Sequence, residues 1–260
     1  RSDADGVLDP DEQDEELREP SPTEESLREA IDKEPGEPKT YVELAALYER
    51  EGRLQDAERL LRKAFKVSGG GDLEILGRLE DVHLVRMRER ADVAAKRAKK
   101  QASEAAEKLA FQVRAEANQA EVEVYASRAE RSPGDARLQY ELGLRLKRVG
   151  KHREAIAPLQ AARADSKRLA EAELHLGECF QHIEQHTLAM RSYEAAIAAC
   201  PTSDWSELRK LAHYRAGVLA MGLGDVEVAE RRLTDLASAD FTYRDIGDRL
   251  DKLARLRKDT

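Results

Sequence analysis

Aromatic residues are scarce in this chain, 5% of 260 residues, and strand-like alternation of β-branched and aromatic side chains is missing. That argues against a sheet-based fold and favours helix, for which the abundant Ala, Leu, Glu and Arg are strong formers. Only two cysteines occur, Cys179 and Cys200, so no disulfide framework is indicated and a reduced, cytoplasmic setting is expected. No apolar run reaches about eighteen residues, so no segment is predicted to span a membrane. The chain opens on Arg1 rather than Met, which reads as a fragment or processed product and leaves room for an anchor upstream.

Catalytic signatures are absent as well. There is no GxxxxGKS/T phosphate loop, no GxSxG elbow and no GxGxxG fingerprint. The glycines of "SGGGD", 68–72, follow no strand and precede no Lys-Ser/Thr pair; they read as a connector that also caps the helix before it. Carboxylate pairs occur throughout a chain with 52 acids and mark no active site. No enzyme activity, cofactor or metal site is expected.

Charge is unevenly distributed. Residues 1–34 carry 14 acids against 4 bases, a net of −10, whereas the other 226 carry 38 acids and 40 bases, a net of +2. Residues 1–36 therefore read as an acidic, flexible tail, with a short helix starting near "SPTEESLREAI". Within the tail, Asp3, Asp5, Gly6, Leu8, Asp9 and Glu12 fall in register with the later part of an EF-hand calcium loop. The first ligand position, however, is Arg1 and no entering helix precedes it, so a solvated acidic tail is the expectation.

Beyond residue 37 the chain repeats itself. "TYVELAALYEREGRLQDAERLLRKAF", "LQYELGLRLKRVGKHREAIAPLQAAR", "EAELHLGECFQHIEQHTLAMRSYEAAI" and "LAHYRAGVLAMGLGDVEVAERRLTDLA" align without gaps over their helical cores. A small residue recurs at Ala45, Gly143, Gly177 and Gly217. Ala57, Ala155, Ala189 and Ala229 follow twelve residues later, and Ala64, Ala162, Ala196 and Leu236 seven beyond those. A turn glycine stands between the first two columns at Gly52, Gly150 and Gly224, with Glu184 the departure. The second and third segments are 34 residues apart. Small side chains in these columns let two antiparallel helices approach closely, and Leu44, Tyr48, Leu142, Leu146, Leu176 and Phe180 beside them fill the layer between units.

These features resemble the tetratricopeptide repeat, a 34-residue helix–turn–helix unit. The resemblance covers 38–66 and 133–240 and implies an all-α superhelix of helical hairpins. The domain reading is a tail at 1–36, a helix pair at 37–71, a long charged helical segment at 72–132, three repeats at 133–240 and a capping helix at 241–260. In 72–132, "DLEILGRLEDVHL" fits a first repeat helix with Gly77 in the small-residue column. No recognisable turn follows, so one long projecting helix is expected from about 86 to 131. "FTYRDIGDRLDKLARL" sets Tyr243, Ile246, Leu250 and Leu253 on one face, as a cap for the open end requires.

The same register bears on "HLGECFQHIEQH", 175–186, whose His175, Cys179, His182 and His186 have a zinc-like spacing. His186 and His152 share a position at the start of second helices, where Leu54 and Val226 stand in the other units. Only His182 keeps a functional part, in the column of Arg50 and Arg148.

The resemblance further implies a non-enzymatic scaffold that binds a protein partner, as a peptide or helix, on the concave face lined by each unit's first helix. Its inner-face positions correspond to Val42, Ala46, Glu49 and Arg50 in the first unit and to Arg137, Tyr140, Leu144, Lys147 and Arg148 in the second. In the third they are Leu174, Glu178, Gln181 and His182; in the fourth, Tyr214, Val218 and Met221. The asparagine of the chaperone-clamping subtype is replaced by Ala46, Leu144, Glu178 and Val218, which argues against that partner. Two alternatives remain. The chain is a structural subunit that contacts its neighbours through the long helix and tail, or "RMRERADVAAKRAKK", 86–100, with seven bases and two acids, binds nucleic acid. The second lacks aromatics for base stacking.

Overall fold

The computed structural model describes residues 22–201 and 205–257, so the calcium-loop positions Asp3 to Glu12 lie outside the described residues. Among the described residues the chain is helical and divides into two compact units, Arg1–Arg90 and Ala91–Thr260. The division falls inside a helix.

In the first unit, helix α1 (Glu24–Lys33) precedes a hairpin of α2 (Pro38–Arg50) and α3 (Leu54–Val67), followed by α4 (Leu73–Gln101), which runs on into the second unit. Residues 24–33 form a helix in the place where the sequence reading put a short one, inside the stretch otherwise read as tail. Thr23 caps it, its hydroxyl accepting the Ser26 N–H at 3.2 Å. Leu27 is buried with Leu44, Tyr48 and Leu61, and Ile31 packs against them. The Glu24 carboxylate accepts from the Tyr48 hydroxyl at 2.7 Å and from Arg53 at 3.0 Å. An apolar stripe and one satisfied carboxylate thus offset the ordering entropy that acidic composition alone leaves uncompensated.

The second unit begins with the end of α4, which folds back along α5 (Glu104–Arg131). The continuous helix expected over 86–131 is interrupted: Ala102 takes φ 46° and Ser103 caps α5, accepting the Ala106 N–H at 3.3 Å. Asp92 and Arg114 then pair at 2.6 Å across the two arms, while Ala91, Ala98, Val113 and Ala117 are buried. The turn carried no sequence signal because alanine occupies a left-handed position that glycine usually marks. Gly77 needs correction too: no atom lies within 4 Å of where its Cβ would stand, so it is not a close-packing column.

Three hairpins follow, α6 (Ala136–Arg148) with α7 (His152–Ala161), α8 (Leu169–His182) with α9 (His186–Ala199), and α10 (Glu207–Gly222) with α11 (Val226–Ala239). Helix α5 packs on α6, and α12 (Ile246–Leu256) covers α11 through Ile246 and Leu253. All twelve members of the three small-residue columns are buried. A Cβ on Gly143, Gly177 or Gly217 would lie 2.6 Å from Leu159, 2.4 Å from Tyr193 and 2.7 Å from Leu233, so glycine sets the spacing of each pair.

Each hairpin turn closes with one backbone bond spanning five residues, Arg53 N–H to Tyr48 O, Lys151 to Leu146, Gln185 to Phe180 and Asp225 to Ala220, at 2.8 to 3.0 Å. Gly52, Gly150 and Gly224 take φ of 74°, 81° and 79°; Glu184 does so at 62°. A side chain in that region costs roughly 1 kcal/mol. Glu184→Gly is therefore expected to raise stability by about 1 kcal/mol, read as a higher midpoint in urea unfolding. An unchanged or lowered midpoint would show that the Glu184 side chain compensates its own strain.

Candidate functional site

Helices α6, α8 and α10 lie side by side in the second unit and are tied by ion pairs on their shared face. Glu121 of α5 is ion-paired with Arg145 at 3.3 Å and accepts a hydrogen bond from Arg148. Lys147 of α6 donates to Glu178 of α8, and Arg215 of α10 reaches the other oxygen of Glu178 at 3.3 Å. His175 Nδ1 stands 3.2 Å from the same carboxylate. Burial pushes the Glu178 pKa up, but the hydrogen bonds from His175 and Lys147 overcome it and hold the carboxyl at about 2.

Beside this cluster opens a groove of about 590 Å³ lined by Lys147, His152, Glu178, Gln181, His182, Glu184 and Arg215. The Tyr193 hydroxyl donates to Gln181 Oε1 at 2.7 Å and sets the amide. The rings of His152 and His182 stack face to face, 3.9 Å between centroids and 9° apart. Burial, then the neighbouring His182 and Lys147, lowers the His152 pKa.

Of the twelve inner-face candidates in this unit, the structure gathers Lys147, Glu178, Gln181 and His182 into the groove. Leu174 is corrected: it is 2% exposed and belongs to the core, so it presents no contact surface. Tyr140 and Tyr214 are also turned into the wall. Burial and the adjacent Glu171 raise the Tyr140 pKa, and the Tyr214 hydroxyl donates to Asp245 at 2.6 Å. Leu144, Val218 and Met221 are half-buried and pack on core clusters, Arg148 is paired with Glu121, and Arg137 is exposed. In the first unit, Glu49 pairs with Arg78 at 3.0 Å, Val42 lines a separate groove of about 320 Å³, Ala46 is half-buried and Arg50 is exposed.

Sequence reasoning missed His152, Glu184 and Arg215. In sequence His152 reads as turn packing and Glu184 as a turn irregularity, and nothing in one dimension shows that His152 meets His182 of the next repeat. Arg215 had a usable signal, since its column runs Glu43, Glu141, His175, Arg215, polar throughout and beside the inner positions. The zinc-like stretch scatters: Cys179 is buried, its thiol pushed up to about 11 by burial, and His186 faces another slot. Among the described residues no three His, Cys, Asp or Glu side chains come together as a metal site, and no helix is long and apolar enough to cross a membrane. In the basic stretch, Arg86 is held by Glu58, while Lys96, Arg97, Lys99 and Lys100 lie along the end of α4.

Hairpins stacked side by side, each spaced by its small-residue columns, define an all-α helical-hairpin solenoid. Its fold is that of the tetratricopeptide-repeat proteins. The solved structure of YrrB, described as a TPR protein with an unusual peptide-binding site, matches with a TM-score of 0.53 at 17% identity, over 92% of this chain and 100% of that one. A second match is the structure of Naa15/Naa10 bound to HypK-THB, with a TM-score of 0.51 at 14% identity, over 89% of this chain and 36% of that one. No protein-family model and no curated protein matches the sequence.

Proposed function

We propose that the chain is a non-enzymatic protein–protein interaction scaffold, and that its second unit receives a partner peptide or helix in the groove between α6, α8 and α10. The observation that carries this is the convergence of Lys147, Gln181, His182 and Arg215, from three successive first helices, on one groove of about 590 Å³. YrrB, of the same fold, has a peptide-binding site, which supports the choice of a peptide as occupant. The polar lining suits a partner held by hydrogen bonds and ion pairs.

Photo-cross-linking tests it. A photoreactive amino acid at Glu184, on the groove rim, is expected to capture a discrete partner in cells that naturally express the chain. The same group at Gln160, exposed on α7 away from the groove lining, is expected to capture none. Equal capture from both positions would show that the groove is not the binding surface.

A further inference from the structure

We infer that this groove seats an acidic side chain of the partner, its carboxylate held by Arg215 and the Gln181 amide, with a hold that tightens when the His152–His182 stack takes up a proton. The inference deepens the scaffold reading and rests on it.

Donors outnumber acceptors inside the groove. Glu178 is already engaged by Lys147, His175 and Arg215, so it serves as a fixed counter-ion and is no acceptor for a ligand. Arg215 gives Glu178 one terminal NH2, and its Nε, which is buried, has no hydrogen-bond partner. Gln181 uses Oε1 for Tyr193, and its Nε2 hydrogens meet no acceptor among the described residues. With the histidines neutral, Lys147 and Arg215 are matched in formal charge by Glu178 and Glu184, so the excess in the lining is of hydrogen-bond donors rather than of positive charge. Glu184, exposed on the turn, is the other acid in the lining. An occupant must therefore bring acceptors. A carboxylate suits a guanidinium better than a backbone carbonyl does, because it brings a full opposite charge and two oxygens that match the planar fork of donors.

The histidine pair gives this recognition a pH dependence. Two imidazolium rings stacked at 3.9 Å repel, so the empty groove resists the second proton. The charged groups facing the pair are Lys147 from α6, Glu178 and His175 from α8, Glu184 from the turn and Arg215 from α10. The neighbouring Lys151 and Glu154 pair with each other at 3.7 Å. A bound carboxylate adds the negative charge that favours protonation, and by reciprocity protonation strengthens binding.

The probe is an immobilised array of extended peptides in matched pairs, Asp or Glu against Asn or Gln, incubated with the full chain at about pH 7.5 and about pH 6. Acidic members are expected to be retained about tenfold more than their amides, a preference lost in Arg215→Gln and reduced in Arg215→Lys, which keeps the charge but not the fork. Retention is expected to rise several-fold at the lower pH in the native chain and not in a double variant His152→Phe, His182→Phe, which keeps two stacking rings and neither titrating one. Circular dichroism confirms that each variant is folded. Peptides retained in the groove regardless of acidity, or equally by Arg215→Gln, overturn this inference and leave the scaffold reading standing. If no peptide is retained, or if a groove-filling Gln181→Trp variant retains them all, both are overturned.

Discussion

Replacing Gly177 with valine is expected to destabilise the second unit by about 3 kcal/mol, at the upper end of overpacking penalties. A Cβ at this position would lie 2.4 Å from Tyr193 Cε1 and 2.5 Å from Cδ1, well inside contact distance. The ring has no way to yield, since Tyr193 is fully buried and its hydroxyl is anchored on Gln181. Gly177→Ala gains up to about 1 kcal/mol of helix propensity, but the clash outweighs that gain, so a net loss of about 1–2 kcal/mol is expected. At Gly143 the added Cβ meets Leu159 Cγ at 2.6 Å, where a branched aliphatic chain can rotate, so the alanine variant there should lose less. Urea unfolding with an unchanged slope orders the three variants as Gly177→Val, Gly177→Ala, Gly143→Ala. A Gly177→Val midpoint equal to the native one would mean that α8 and α9 do not pack as described.

Glu178→Gln is the second large effect, expected at about 2 kcal/mol. The change leaves Lys147, His175 and Arg215 facing one another without their shared anion, and half-buried cations without a partner are costly. The figure is set below that of a fully buried pair because Arg215 remains 39% exposed. The pH dependence follows from the same cluster. The folded-state pKa of Glu178, about 2, lies below the usual 4.5, so its contribution is fully present above pH 4.5 and is lost as pH falls towards 2. Thermal melts of the native chain should fall steeply through that window, and those of Glu178→Gln less steeply. Parallel curves would assign the acid sensitivity to other carboxylates.

Much of the fold was legible in one dimension because packing between paired helices depends on residue size alone. Gly143, Gly177 and Gly217 sit opposite Leu159, Tyr193 and Leu233 with no room for a Cβ, and that constraint surfaces in the sequence as a column of small residues. The turn glycines are legible for a similar reason, since a left-handed backbone position selects for the residue without a Cβ. Legibility fails where the chain uses that position without glycine. Ala102 turns α4 back on α5 unannounced, and an expected single rod becomes two arms joined by the Asp92–Arg114 pair.

The candidate groove was legible only in part. Lys147, Glu178, Gln181 and His182 follow from register, because a helical face repeats with the helix. Leu174 shares that register and is nonetheless core, since the inner helix face curves into the neighbouring hairpin and burial varies continuously around it. By itself, the sequence determined the helical class, the hairpin unit and which residues let paired helices touch, all consequences of local backbone preference and side-chain volume. Only the tertiary structure decided that His152 stacks on His182 and that Glu178 draws together Lys147, His175 and Arg215. Those contacts join residues from different repeats, and their distances depend on how one hairpin is set against the next.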